Sequence, residues 1–138
     1  GEKYLDKYFS TIKNSLNTDG TAAIQGITIR DDLFDRYKGS EDFIQKYIFP
    51  GGFLPSINSM KDLMKKNKLN LLKVNSYPDD YAKTLKIWRE NFFKTWDNIT
   101  PLGFDETFKR MWEFYLSYCE AGFKARNINL IQCSMSNK

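Results

Sequence analysis

Few side chains in this sequence can do chemistry, and their scarcity narrows the reactions open to it. There is no histidine, which removes a histidine general base and the serine–histidine–aspartate relay. Cys119 and Cys133 share no metal-ligand spacing, which argues against a zinc centre and for a reducing compartment. Three residues remain. Gln25 is a polar group inside the apolar stretch TAAIQGITI, Tyr81 follows Asp79-Asp80 directly, and Cys119 sits among aromatics. A carboxamide can donate to an anion or accept from a cation, and a phenol can donate to an anion. Each also has an ordinary structural reading: a core amide bonded to backbone, a tyrosine with its hydroxyl at a rim, an inert small hydrophobe. The adjacent aspartates read as a helix start rather than a catalytic carboxylate pair.

These side chains need elements to hold them. Residues 3–16 place Tyr4, Leu5, Tyr8, Phe9, Ile12 and Leu16 on one helical face. Residues 21–29 are small, β-branched and nearly uncharged, the profile of a strand buried on both faces, as in a parallel sheet. Gly26 within it marks a close approach by a ligand or another backbone. Residues 30–39 are charged and read as a mobile connection. Ser40 and Ser56 each read as an N-cap, the second opening a helix to about Asn67 with Ile57, Met60, Leu63 and Met64 inward. The basic run Lys65-Lys66-Asn67-Lys68 is the solvated end of that helix. Residues 69–77 form a second strand and residues 128–136 a third. Between them, Tyr81, Leu85, Trp88, Phe92, Trp96 and Ile99 repeat at helical spacing, as do Phe104, Phe108, Met111, Tyr115, Cys119 and Phe123. Such aromatic stripes build cores, and their faces can also stabilise a cationic intermediate.

Residues 43–56, FIQKYIFPGGFLPS, interrupt the helical pattern. Pro50 blocks continuation and Gly51-Gly52 turn the chain. Tyr47, Ile48, Phe49, Phe53 and Leu54 are expected to crowd around the glycines, as core lining or as the wall of an apolar pocket.

At 138 residues the chain has one domain's length, with 41% hydrophobic and 28% charged residues, ordinary for a soluble protein. Its aromatic content, 16%, asks for a large aromatic core or a site for flat or greasy ligands. The net charge of +4 suits a negative partner surface such as anionic lipid, which keeps a non-catalytic lipid-surface binding module as an alternative to an enzyme, though the lysines are interleaved with acids. Nucleic acid is disfavoured, because the aromatics lie on helical stripes and not among basic clusters. No stretch reaches the length of a membrane span and no signal-peptide pattern opens the chain. The first residues, GEKYLDKYF, enter a helical pattern directly and read as part of a longer chain. Strand, helices, strand, helix pair, strand is an α/β order. Three strands make a thin sheet, so further strands are expected beside the first. No GxGxxG or P-loop pattern occurs.

KYIFPGGFLPS at residues 46–56, DDYAKTL with WRENF at residues 79–92, and FKRMWEFYLSYCEAGFKAR at residues 108–126 with Ile128 and Gln132 beyond resemble the cyclopropane-fatty-acyl-phospholipid synthase family. That family includes mycolic acid cyclopropane synthases and related fatty-acid methyltransferases, and the likeness runs through nearly the whole chain. It implies an α/β fold: the C-terminal half of a Rossmann-like class I methyltransferase, three strands plus a helix-rich acyl-binding insertion. Residues 1–138 would then be the C-terminal portion of a single S-adenosylmethionine-dependent domain. The implied reaction moves a methyl group from S-adenosylmethionine to a cis double bond of an acyl chain. Proton loss from that methyl then closes a cyclopropane, with bicarbonate as the base.

By the same resemblance, Gln25, Ile27 and Tyr81 would hold the bicarbonate, with Gln25, Tyr81 and Cys119 forming the catalytic set. Phe49, Pro50, Leu54, Leu85 and Phe123 would line the acyl tunnel. The partners would be unsaturated phospholipid acyl chains, met in the cytoplasm at the inner face of the membrane. The chain departs from the family at Gln25, where many members have histidine. A glutamine hydrogen-bonds an anion but cannot titrate, which leaves ring closure and simple methylation both open. The cofactor motif and a bicarbonate-binding glutamate lie upstream of GEKY in the family. The chain alone is therefore expected to bind S-adenosylmethionine poorly, to be inactive, and to self-associate through its exposed strand.

Overall fold

A computed structural model describes residues 1–137, which form two compact units. The first comprises Gly1–Tyr77 and the residues from Ile128 onward, and the second Pro78–Asn127.

The first unit is a three-stranded sheet with helices packed on one face. In chain order it contains α1 (Leu5–Ser15), β1 (Thr21–Ile29), α2 (Phe34–Lys38), α3 (Ile57–Lys66), β2 (Asn70–Ser76) and β3 (Ile128–Ser136). The strand order is β1-β3-β2, and both pairings of the central β3 are antiparallel. β1 and β2 therefore run in the same direction with the last strand reversed between them. That corrects the parallel sheet expected around β1. Its small, β-branched residues do not signal two buried faces, for the N-terminal two-thirds of the strand alternates exposed with half-buried positions. β1 lies at an outer position of the sheet. Gly26 has no close neighbour either: a Cβ built there would meet nothing within 4 Å.

Register decides which side chains enter the core. Ile131, Cys133 and Met135 alternate along β3 onto the covered face, where they meet Phe9 of α1, Met60 and Met64 of α3, and Leu69. Ala22, Ile24 and Leu71 pack beside them. Phe9 is fully enclosed, a burial contributing roughly 2–3 kcal/mol. Tyr4 and Tyr8 are exposed, so the inward face of α1 is Phe9 with Ile12 and Leu16, narrower than the spacing predicts. α3 begins as its sequence requires. The Ser56 hydroxyl accepts from the Ser59 amide (3.2 Å), the Ser59 hydroxyl accepts from the Ser56 amide (3.0 Å), and Ser56 is buried. This reciprocal cap satisfies two amides that the helix cannot.

The connection from residue 30 to residue 55 is more ordered than its charge implies. A 3₁₀ turn, Asp31–Leu33, leads into α2. Ser40 does not cap a helix, because its hydroxyl donates back to the Arg36 carbonyl at the end of α2. Asp42 takes that role: its carboxylate accepts from the Gln45 amide (2.9 Å) and its amide donates to Gln45 Oε1 (3.0 Å). The following turn, Ile44–Ile48, is π-helical and closes with the Phe49 amide on the Ile44 carbonyl (2.8 Å). Pro50 then stops the helix, and Gly51 at φ +77° takes a left-handed conformation that side chains resist. The rings of Tyr47 and Phe49, 57% and 56% exposed, face solvent, while the Phe49 backbone closes on Gly52, whose amide donates to the Phe49 carbonyl (2.8 Å). Ile48, Phe53 and Leu54 are half-buried, and Phe53 packs edge-on to Phe34 and tilted against Tyr37.

The second unit is an antiparallel helical hairpin of α4 (Pro78–Lys94) and α6 (Glu106–Lys124), with a short α5 (Trp96–Ile99) between them. The first aromatic stripe therefore breaks at Thr95 instead of running unbroken to Ile99. A 3₁₀ turn over Thr100–Leu102 ends at Gly103 with φ +96°. The Asp105 carboxylate then caps α6 through the Phe108 amide (2.8 Å). Ala82, Leu85, Leu116 and Phe123 are the buried apolar residues of the two helices.

Candidate active site

The residues singled out in the sequence fall into three groups. On the sheet, Gln25 and Ile27 are two apart on β1 and so share the face away from the helices. Gln25 is exposed, which excludes the core-amide reading. Opposite it on β3 is Gln132, whose Nε2 donates to Gln25 Oε1 at 2.9 Å. Asn75 of β2 continues this row of amides across the sheet. The neighbouring row, Ala23–Ser134–Lys73, adds a cation and no acid.

Backbone directions follow from the ladder. The Ile29 amide leaves β3 and donates to the Pro55 carbonyl (3.0 Å). Two residues earlier, the Ile27 amide faces the same outer edge by the alternation of antiparallel pairing. Gln25 has that parity as well, so Gln25 and Gln132 form a pair without mutual backbone bonds, the kind whose side chains approach most closely.

The second group lies in the hairpin. Tyr81, in the first turn of α4, meets Phe123 edge-on with ring centroids 4.8 Å apart, and Trp88 at 6.1 Å. Tyr115, Cys119 and Phe123 follow at four-residue intervals along α6, one above another on a single face. Burial, helped by the nearby Cys119, raises the Tyr81 hydroxyl above its usual value, and the same causes, with Tyr81 added, push Tyr115 up to about 12. Both phenols are therefore hydrogen-bond donors at neutral pH. Cys119 is half-buried among these rings, while Leu85 and Phe123 are enclosed.

An ion-pair cluster that the sequence reading passed over fastens the hairpin. Arg89 donates to Glu120 Oε2 and to the Ser117 hydroxyl, each at 2.9 Å, and Lys124 pairs with Glu120 Oε1. Glu120 is buried, and a carboxylate in that position requires such partners. Arg89 and Glu120 lie within the motifs WRENF and CEAGF. Their pairing depends on the hairpin register, which no spacing along one helix reveals. The third group is the segment after the π-helical turn. Phe49 and Pro50 are exposed and Leu54 is half-buried, with its amide donating to the Tyr37 hydroxyl (3.1 Å).

Gln25 and the outward Ile27 amide are N–H donors on β1, and the Tyr81 hydroxyl is a donor within the helical hairpin, so each can donate to an anion. S-adenosylmethionine does not fit in the same way. Among the described residues no strand leads through a glycine-rich turn into a helix, the feature that cradles such a cofactor. No group of three or more His, Cys, Asp or Glu side chains suited to a metal ion occurs among them. None of the described helices is long and apolar enough to cross a membrane.

The architecture recurs in solved enzymes. The cyclopropane synthase MmaA2 from Mycobacterium tuberculosis superposes with a TM-score of 0.87 at 23% identity, over 99% of this chain and 50% of that one. The mycolic acid cyclopropane synthase CmaA1, complexed with SAH and CTAB, gives 0.87 at 26% identity with the same coverage. The fold is therefore the C-terminal part of a Rossmann-like S-adenosylmethionine-dependent methyltransferase. Within that class, the family model described as Mycolic acid cyclopropane synthetase matches residues 1–133, and the chain belongs to that family.

Among curated relatives, tuberculostearic acid methyltransferase UfaA1 of Mycobacterium tuberculosis is 38% identical over 136 residues, 98% of this chain and 32% of that protein. The cyclopropane-fatty-acyl-phospholipid synthase of Escherichia coli K12 is 32% identical over 137 residues, 99% and 34% respectively. The chain thus spans about a third of the length of these relatives.

Proposed function

We propose that the protein is an S-adenosylmethionine-dependent lipid methyltransferase, acting on a cis double bond of an unsaturated phospholipid acyl chain and closing a cyclopropane ring. The observation that carries this reading is the family match over residues 1–133, joined to an aromatic, thiol-bearing helical face with protonated phenols. S-adenosylmethionine would supply the electrophilic methyl group, and the described residues lack the glycine-rich turn that would cradle it. The residues described here would receive the acyl chain and manage the proton.

Leu85 and Phe123 would form the inner wall of an acyl-binding surface, with Cys119 as part of that wall and not a nucleophile. Phe49, Pro50 and Leu54 would supply apolar contact for the chain. Methyl transfer to the double bond, with the S–CH3 bond broken and the thioether released, would leave positive charge on the acyl chain, which electron-rich faces such as those of Tyr81 and Trp88 would stabilise. Gln25 and the Ile27 amide would donate to a bicarbonate ion, and the Tyr81 hydroxyl would serve as a donor of the same kind. As a base, that ion would take a proton from the added methyl carbon, whose C–H electrons close the ring. Peripheral contact with the cytoplasmic membrane surface follows from a phospholipid substrate.

A second reading, methylation without ring closure, is favoured by Gln25 in place of a titrating side chain and by the 38% identity to a tuberculostearic acid methyltransferase. One experiment addresses both. The full-length protein is incubated with methyl-labelled S-adenosylmethionine and unsaturated phospholipid, and the acyl methyl esters are separated by gas chromatography. Label in a cyclopropane supports the first reading and label in a methyl branch the second. Unlabelled lipid overturns both.

A further inference from the structure

Gln132 stands in the last strand at a position that neither the sequence motifs nor the proposed reaction gives a task. Its side chain nevertheless makes one defined contact, the 2.9 Å donation from Nε2 to Gln25 Oε1. A free carboxamide turns over readily and offers a neighbouring anion either its N–H groups, which attract, or its oxygen, which repels. On this sheet face the Gln25 oxygen is the atom that Gln132 engages. Once Gln25 Oε1 accepts from Gln132, both hydrogens on Gln25 Nε2 remain, and Gln25 makes no further side-chain hydrogen bond among the described residues. The pairing is favoured by register, because the two residues face each other at a site without mutual backbone bonds. The surroundings suit the same sign of ligand: Lys73 lies one row away, and the rows from Gln25 to Lys73 contain no carboxylate.

We propose that Gln132 is a positioning residue that fixes the orientation of the Gln25 amide, so that Gln25 acts as a committed donor to a small oxyanion. This rests on the reading of Gln25 as a bicarbonate ligand, and the test separates the two. The probe is ¹³C-labelled bicarbonate titrated in carbonate-depleted buffer, with binding to the full-length protein read from broadening of the bicarbonate resonance. No turnover is needed.

Gln132→Leu should weaken binding about three- to tenfold, the range of one lost neutral hydrogen bond. Gln25→Leu should weaken it at least as much. The double variant should be no weaker than Gln25→Leu alone, because Gln132 acts only through Gln25. A role for Gln132 in sheet packing would instead lower affinity equally in both backgrounds, and that result overturns the proposal. Unchanged affinity in Gln132→Leu beside a loss in Gln25→Leu also overturns it, while leaving Gln25 as a ligand. If Gln25→Leu binds like the parent, or the parent does not bind, the underlying reading fails with it. Gln132→Thr, a good strand former too short to reach Gln25, repeats the test should the leucine variant fold poorly.

Discussion

Tyr81 carries two separable duties on one side chain. Its ring packs edge-on against Phe123, and its hydroxyl is the donor proposed for catalysis. Tyr81→Phe in the full-length protein should therefore keep the thermal midpoint within a few degrees while turnover falls about tenfold or more, the scale of one catalytic hydrogen bond. Steady-state kinetics beside a melting curve decides it, and normal turnover with a normal midpoint refutes the assignment. Tyr115 gives a pH signature. Its phenol is pushed up to about 12 by burial, with Cys119 and Tyr81 adding to the effect, above the ordinary value near 10. A folded-state value above the unfolded one means that the native state holds the proton more tightly. Its contribution is whole below about pH 10 and is lost as pH rises towards about 12. Tyrosinate absorbance should show a late-titrating phenol that Tyr115→Phe removes, and stability should decline across that interval. At this scale Gln25, Tyr81 and Cys119 were visible in the sequence as unusual residues in apolar company. Gln132 was visible only as the last position of a family motif, and its pairing was not legible, because the partner lies on another strand.

At the scale of elements, the hairpin is tied by a buried carboxylate whose two partners differ in access to water. Arg89 is 30% exposed at its side chain and Glu120 only 7%. Deprived of Glu120, Arg89 can turn to solvent; deprived of Arg89, Glu120 stays buried with Lys124 alone. Arg89→Met should therefore destabilise by about 2–4 kcal/mol and Glu120→Met by about 1 kcal/mol or less, following the cost of leaving a buried charge unpaired. Denaturant midpoints measure the difference, and equal losses would contradict this account. Helix starts show what local sequence can state. Ser56 was legible because a serine–serine capping box is complete within four residues. Ser40 misled because Asp42, two residues on, competes for the same role and has Gln45 to reciprocate. The π-helical turn before Pro50 has no local signature, since its extra residue per turn is settled by where the proline must stop.

Over the whole molecule, β1 bears on how the 138-residue chain behaves alone. The strand has nine uncharged residues at an outer position of the sheet. Among the described residues only its end at Ile29 is paired outward, to Pro55 and Ser56, so the rest of that edge offers a ladder that another copy can join. The isolated chain is expected to self-associate by light scattering, with Thr28→Pro, which replaces a buried residue, too disruptive as a control. Ala23→Lys, at an exposed position, should reduce association, and a clean monomer of the unaltered chain would count against this reading. Periodicity and short-range chemistry by themselves determined the strands, most helices, the Ser56 cap and the family, because each is encoded within a few residues or in an ordered motif. Tertiary structure decided that the last strand inserts antiparallel between the other two, that Gln25 lies on an exposed face beside Gln132, and that Arg89 meets Glu120. Those are long-range pairings. Register and strand order follow from which faces can be buried together, a property of elements distant in sequence that no local window contains.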